Sequence, residues 1–247
     1  MAEYMYETLI AGGTVYDRAN AIEGEVRDIA VDSAGAIARV ELPGVLAVTC
    51  ARVVFDASGL LIMPGLVDLH AHGFAGMGPV GVDFDDFCIA RGTTTVVDAG
   101  SAGSANFAGF RRYIIEPSIT RVLALLNISM IGITTAAMIG SNQAVSHLSV
   151  EDCVECVEAN RDVIVGVKVL LSRWNSDNGK NERHAYDAAL KATASTQLPL
   201  MTHHSSSVIS LDDCPGKLRK GDICESMIHL SAAALRRGCT AARPRCA

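Results

Sequence analysis

The sequence predicts an α/β protein in which a parallel sheet, forming part of a barrel, follows a small β-rich segment. Three observations lead there. From about residue 60, apolar runs rich in Val, Ile and Leu alternate with helical patterns, the rhythm of a parallel sheet. Short strand-like pieces punctuated by Gly and Pro fill the residues before it. At the junction, Pro64-Gly65-Leu66-Val67-Asp68-Leu69-His70-Ala71-His72-Gly73 sets two imidazoles two residues apart at the end of an apolar run.

Residues 1–60 form the first predicted segment. Thr8-Leu9-Ile10 leads into Gly12-Gly13, and Thr14-Val15-Tyr16 follows. Asp28-Ile29-Ala30-Val31 precedes a turn at Asp32 to Gly35, and Ile37 to Leu42 ends at Pro43-Gly44. Such closely spaced pieces suit a small β-sandwich-like segment or an open sheet. Residues 61–229 form the second segment. Its strands are expected at Leu60–His70, Thr93–Asp98, Val122–Ile128, Val163–Leu171, Leu198–His203 and Ile223–Ile228. Helical patterns lie between them at Phe84–Ala90, Phe107–Ile115, Val150–Asn160 and Glu182–Ser195. About six βα units are visible, where a closed (β/α)₈ barrel has eight. Residues 230–247, rich in Ala, Arg and Cys, form an atypical tail that reads as an out-of-frame or alternatively spliced end, or as a short helix with a frayed terminus.

Composition narrows the function classes. With 247 residues, 49% of them hydrophobic, the chain can bury a large core. A net charge of -6 with no basic run before the tail disfavours nucleic acid and anionic membrane as partners. The start has no secretion signal, and the apolar runs are strand-length, so a cytoplasmic protein without a membrane span is the expectation. The eight cysteines then read as free thiols. Cys153-x-x-Cys156 falls in a helical pattern without a second pair at metal-binding spacing, a weak signal for metal or redox chemistry.

Chemistry belongs at the strand ends of such a fold. On a strand, residues i and i+2 share a face, so His70 and His72 can grip one ion; they could equally be two half-exposed histidines on an ordinary strand. Lys168 sits inside the apolar run Val163–Leu171. An unpaired buried lysine is costly, and burial lowers its pKa from about 10.4. A neutral amine can take up carbon dioxide as a carbamate, an anionic ligand with two oxygens. The bland reading is an ammonium that snorkels to a loop carboxylate. Leu200-Met201-Thr202-His203-His204 brings a third imidazole to a strand end, and neutral imidazole suits zinc.

The His70 segment resembles the first-strand signature of the amidohydrolase superfamily. Three further stretches are similar to its dihydroorotase/deacetylase-like branch: Ala90 to Gly100 (ARGTTTVVDAG), Val165-Gly166-Val167-Lys168, and Leu198-Pro199-Leu200-Met201-Thr202-His203. The resemblance spans about residues 7–222. It implies a TIM-like barrel with two divalent metals, usually zinc. His70 and His72 would hold one, His203 the other, and carbamylated Lys168 would bridge them. It further implies hydrolysis of a cyclic amide or an N-acyl (N-acetyl) C–N bond in a small-molecule substrate, through a metal-bound hydroxide.

The sequence also departs from that pattern. The family has a Thr-His-x-x-His stretch after Gly-Asp-Ile; here Gly221-Asp222-Ile223 is followed by Cys224-Glu225-Ser226-Met227-Ile228-His229. Ser226 takes the ligand position and only His229 matches, with Glu225, His204 or His229 as substitutes to consider. The family's strand-eight Asp, ligand and base, has no counterpart, so no catalytic residue is assigned. Impaired activity follows, since acid–base assistance alone is worth about 10²–10⁴-fold. A catalytically inactive remnant or binding subunit is therefore the alternative, and an open sheet edge invites a homo-oligomer.

Two other chemistries compete. Gly76-Met77-Gly78-Pro79-Val80-Gly81 fits G-x-G-x-x-G, and Asp98 ends the next strand, as in a dinucleotide-dependent oxidoreductase. Against it, His70 to Ala75 separate strand from glycines, and Asp83, Asp85 and Asp86 would oppose a pyrophosphate. Serine hydrolysis lacks a G-x-S-x-G elbow. Asn127-Ile128-Ser129 matches a glycosylation sequon but lies on an expected buried strand.

Overall fold

The computed structural model describes residues 4–78, 80–210, 213–214 and 217–226. Pro79, His229 and the 230–247 tail lie outside the described residues. The chain divides into two compact units, the first ending at Gly65 and the second beginning at Leu66.

The first unit is one mixed five-stranded sheet. β1 (Tyr6–Asp17) pairs antiparallel with β2 (Ile22–Val31), which pairs with β3 (Ile37–Glu41); β4 (Ala51–Asp56) and β5 (Leu61–Ile62) run parallel to β1. Gly12-Gly13, expected to break the chain into two pieces, instead lies within continuous β1 at a register shift. Gly12 takes φ +75°, and its amide donates to Asp28 Oδ1 at 2.8 Å, while Asp28 Oδ2 accepts from Gly44 N at 2.8 Å. One buried carboxylate thus holds both the bulge and the Pro43-Gly44 turn. The expected strand Leu60–His70 is split: Leu61–Ile62 joins this sheet, and Pro64, with no amide hydrogen to donate, ends it. Tyr6, Leu9, Ala30, Leu46 and Ala51 form the unit's apolar core.

The second unit is a six-stranded parallel sheet in strict chain order: β6 (Leu66–Ala71), β7 (Thr93–Asp98), β8 (Arg121–Asn127), β9 (Ile164–Leu171), β10 (Leu200–His204) and β11 (Ile223–Ser226). An unreversed order winds one way, as in a barrel; a doubly wound dinucleotide fold needs a point where the order reverses. Helices fill the crossovers. α1 (Phe84–Cys88) starts at Asp83, whose side chain accepts from the Asp85 and Asp86 amides. α2 (Phe107–Phe110) widens into a π turn over Arg111–Ile115. Ser149 caps α3 (Val150–Ala159), which buries Cys153 and Val157 four residues apart. α4 (Glu182–Thr196) buries Ala185, Ala188, Ala189 and Ala192, small side chains that allow close approach to the sheet. Among the described residues no helix is long and apolar enough to cross a membrane.

Two apolar layers flank this sheet. Leu126, Val167, Val169, Leu171 and Leu200 face the helices, while Val97, Ala99, Leu125 and Met201 form a smaller cluster. The sheet also curls. Laid flat, its edge strands β6 and β11 would stand about 24 Å apart at the usual strand spacing, yet His70 Nδ1 on β6 lies 3.0 Å from Glu225 Oε2 on β11. The result is a half-barrel of the kind the sequence predicts.

Candidate functional site

Four strands aim polar side chains at one point inside that curl. Glu225 Oε2 is 3.0 Å from His70 Nδ1, 2.9 Å from His203 Nδ1 and 3.5 Å from Lys168 Nζ. Register explains the meeting: on adjacent β10 and β11, His203 pairs with Glu225, and on β9 and β10, Lys168 pairs with Met201 two residues before His203. Ser226 falls opposite His204, one residue out of step. His204 is engaged elsewhere, its Nε2 lying 2.7 Å from the carbonyl of Ile209. Of the considered substitutes, the structure brings Glu225 into the site.

His72 stands just past β6, its ring centroid 5.3 Å from that of His70, with Nδ1 3.1 Å from Ser101 Oγ. With Nδ1 so engaged, Nε2 is the nitrogen left for a ligand. Burial, aided by the neighbouring His70 and Lys168, lowers the His72 pKa to about 3, so its ring is neutral. His70 is lowered by the same two causes, burial and the Lys168 charge. Burial brings Lys168 down to about 8 against the opposing pull of Glu225. Burial works against ionising Glu225, but the His203 hydrogen bond and the Lys168 charge outweigh it and hold its pKa below the usual value.

A second layer fixes these groups. Asp98, fully buried at the end of β7, accepts from Gly73 N at 2.8 Å through Oδ2, and from Gly100 N at 3.1 Å and Ser101 N at 2.7 Å through Oδ1. It therefore ties the chain after His72 to the loop carrying Ser101. Burial raises its pKa to about 6 despite those bonds. This is no ribose-binding acid: it is sealed from solvent by backbone amides, and the dinucleotide reading fails with it. Asn127, the sequon residue, is likewise buried, its Nδ2 donating to the Gly100 carbonyl at 3.1 Å. Gly100 has φ +91°, and a Cβ there would come within 2.8 Å of the Lys168 side chain, so glycine is what lets β7 lie against that lysine.

Do these residues fit a metal ion? Among the described residues, no group of three His, Cys, Asp or Glu side chains is arranged to hold one. The convergence here includes a lysine and stands at hydrogen-bond distance, longer than the 2.0–2.1 Å of a zinc–nitrogen bond. Three nitrogens from three strands nevertheless surround a single point, which Glu225 Oε2 occupies. Imidazoles with a carboxylate are a donor set that divalent zinc favours. The donor types therefore suit zinc, while their spacing here is that of hydrogen bonds.

Sequence reasoning singled out His70, His72, Lys168 and His203, and the structure places all four within this region. It gave Glu225 only as a substitute ligand, weighed Asp98 only within the competing dinucleotide reading and did not single out Ser101. The signal for Glu225 was its place two residues after Ile223, on the same face as His203 once the strands are registered. Cys153 and Cys156 sit on α3, where burial pushes their thiols up to about 12 and about 11, against metal or redox use.

No family profile matches the chain. Over 117 residues it is 43% identical to a deacetylase of Brucella anthropi, a stretch covering 47% of this chain and 29% of that protein. A solved dihydroorotase superposes with a TM-score of 0.78 at 30% identity, covering 88% of this chain and 56% of the other. A solved adenine deaminase does so with a TM-score of 0.76 at 26% identity, covering 89% and 56%. The chain thus spans about half the length of the solved relatives it matches.

Proposed function

The chain belongs to the amidohydrolase superfamily, and from that premise we propose that it serves metal-dependent hydrolysis of a C–N bond in a small-molecule amide, an N-acyl compound in preference to a cyclic amide. The observation that carries this is the convergence of His70, His203 and Lys168 nitrogens on one point. The preference for an N-acyl, N-acetyl-like substrate rests on the 43% identity to a deacetylase.

In this reading His70, His72, His203 and Lys168, the last as a carbamate, would hold divalent ions, zinc by their chemistry. A bound ion would supply Lewis acidity toward the amide carbonyl and acidify water. The chain's own residues do the rest. Neutral His72 is oriented by Ser101. Lys168, with its pKa brought to about 8, keeps a neutral fraction able to take up carbon dioxide. Glu225, ionised and facing the same point, can accept a proton at Oε2.

One observation favours a second reading, a non-catalytic binding protein. Glu225 already satisfies His70, His203 and Lys168 in a closed set of contacts. Metal analysis of the purified chain grown with zinc, paired with acetate release from a panel of N-acetyl amino acids, separates the two. Bound metal with hydrolysis supports the enzyme, and bound metal without turnover supports the binding protein. If neither metal nor turnover is found, the proposal is wrong.

A further inference from the structure

Two thiols that the site does not use share the outer face of β10 and β11. Thr202 on β10 is the register partner of Cys224 on β11, so their side chains rise from the same side of the sheet. Cys214, fully buried in the segment after β10, directs its Sγ to Thr202 Oγ1 at 3.8 Å, and its carbonyl accepts from the Tyr186 hydroxyl at 2.5 Å. Through Thr202, which Cys214 touches and which pairs with Cys224, the two cysteines are neighbours on this face, and burial pushes the Cys214 thiol up. Both cysteines are free, Cys214 buried and Cys224 exposed. An accessible thiol beside a sheltered one is the usual layout of an attacking and a resolving cysteine.

We propose that Cys214 and Cys224 form a reversible disulfide site, closed by exchange with a small-molecule disulfide of the glutathione type. The exposed Cys224 sulfur, as thiolate, attacks the small disulfide, forming a mixed disulfide and releasing one small thiolate. Cys214 then attacks the Cys224 sulfur and expels the second small thiolate, which takes up the proton that Cys214 gives up. Two protein thiols are oxidised, one small disulfide is reduced to two thiols, and the balance closes. Excess small thiol reverses it. The bond would tie β11 to the segment that follows β10. Because Cys224 adjoins Glu225, it would fix the strand that delivers the site carboxylate.

The sequence allows a direct test. Lys217, Arg219 and Lys220 lie between the two cysteines, so trypsin places Cys214 in peptide 192–217 and Cys224 in peptide 221–236, each with a single cysteine. The full chain is incubated with oxidised glutathione, alkylated and digested without reduction. The expected product is peptide 192–217 joined to 221–236, lost on adding excess reduced thiol. Cys224→Ser, a change at an exposed position, should abolish it, and Cys214→Ser should leave Cys224 trapped as the mixed disulfide. Both cysteines recovered alkylated would overturn the proposal. So would Cys224 of the wild-type chain recovered joined to any partner other than Cys214.

Discussion

Asp98 shows how one side chain serves the site without touching its centre. Its two oxygens take three backbone amides that belong to the His72 and Ser101 loops. Asparagine cannot replace it, because the amide nitrogen would face a donor. Asp98→Asn should therefore cost about 2 kcal/mol in urea unfolding at neutral pH. The pH dependence adds a sign that can be checked. A carboxyl whose folded pKa is raised to about 6 binds its proton more tightly in the native state. Its favourable contribution is present when protonated and fades as pH rises from about 4 to about 6, by about 3 kcal/mol. Asparagine does not titrate, so the variant should fall further below wild type at pH 4 than at pH 7. A gap independent of pH would show that Asp98 is ionised throughout. Lys168 gives a companion expectation: with ¹³C-bicarbonate and zinc, the wild-type chain should show a carbamate signal by NMR that Lys168→Met lacks. The same spectrum from both would remove Lys168 from the metal reading.

At the scale of elements, much of the second unit was legible, and the reasons are local. β7 lies where Thr93–Asp98 was expected, because a β-branched run bounded by Gly92 and Gly100 leaves little choice. β9 was equally plain, as was the oddity of a lysine inside it. The 60–70 stretch was not: its apolar residues look continuous, and only the pairing of Leu61–Ile62 with β1 divides them between two sheets. Glu225 was obscured for a related reason. Whether 225 or 226 faces His203 is a matter of strand register, and a one-residue slip exchanges the faces. Asp98 and Ser101 were hidden because the contacts that tie them to the site, the Gly73 amide and the His72 ring, are distant in sequence and leave no residue pattern. The Gly100 contact tests how tightly β7 and β9 are fitted. Gly100→Ala would force a Cβ to 2.8 Å from Lys168 at φ +91°, and should destabilise the chain by about 3 kcal/mol. Loss below 1 kcal/mol would show that the lysine stem yields.

For the second unit taken whole, the decisive feature is that the two edges of one sheet meet through side chains. β6 exposes Leu66, Val67 and Leu69 along its length, so little apolar burial holds that edge in place. The polar cluster is what spans the gap, His70 from one edge reaching Glu225 on the other. A double-mutant cycle of His70→Ala and Glu225→Ala, in chelator, should give a coupling of about 1 kcal/mol, that of a hydrogen bond to a charged group partly open to water. No coupling would mean that the edges do not meet in solution. Metal should then act as a clasp on the same gap. An ion bound only by the folded chain stabilises it by about 2.7 kcal/mol at a hundredfold excess over its dissociation constant. For a unit of this size that amounts to roughly 2–4 °C for each kcal/mol. Zinc should thus raise the melting temperature by several degrees. His70→Ala, on the edge strand β6, and His203→Ala, on β10 next to the other edge, should each cancel the rise. A shift that survives both would place the ion elsewhere, and the half-barrel would owe its curl to the apolar layers alone.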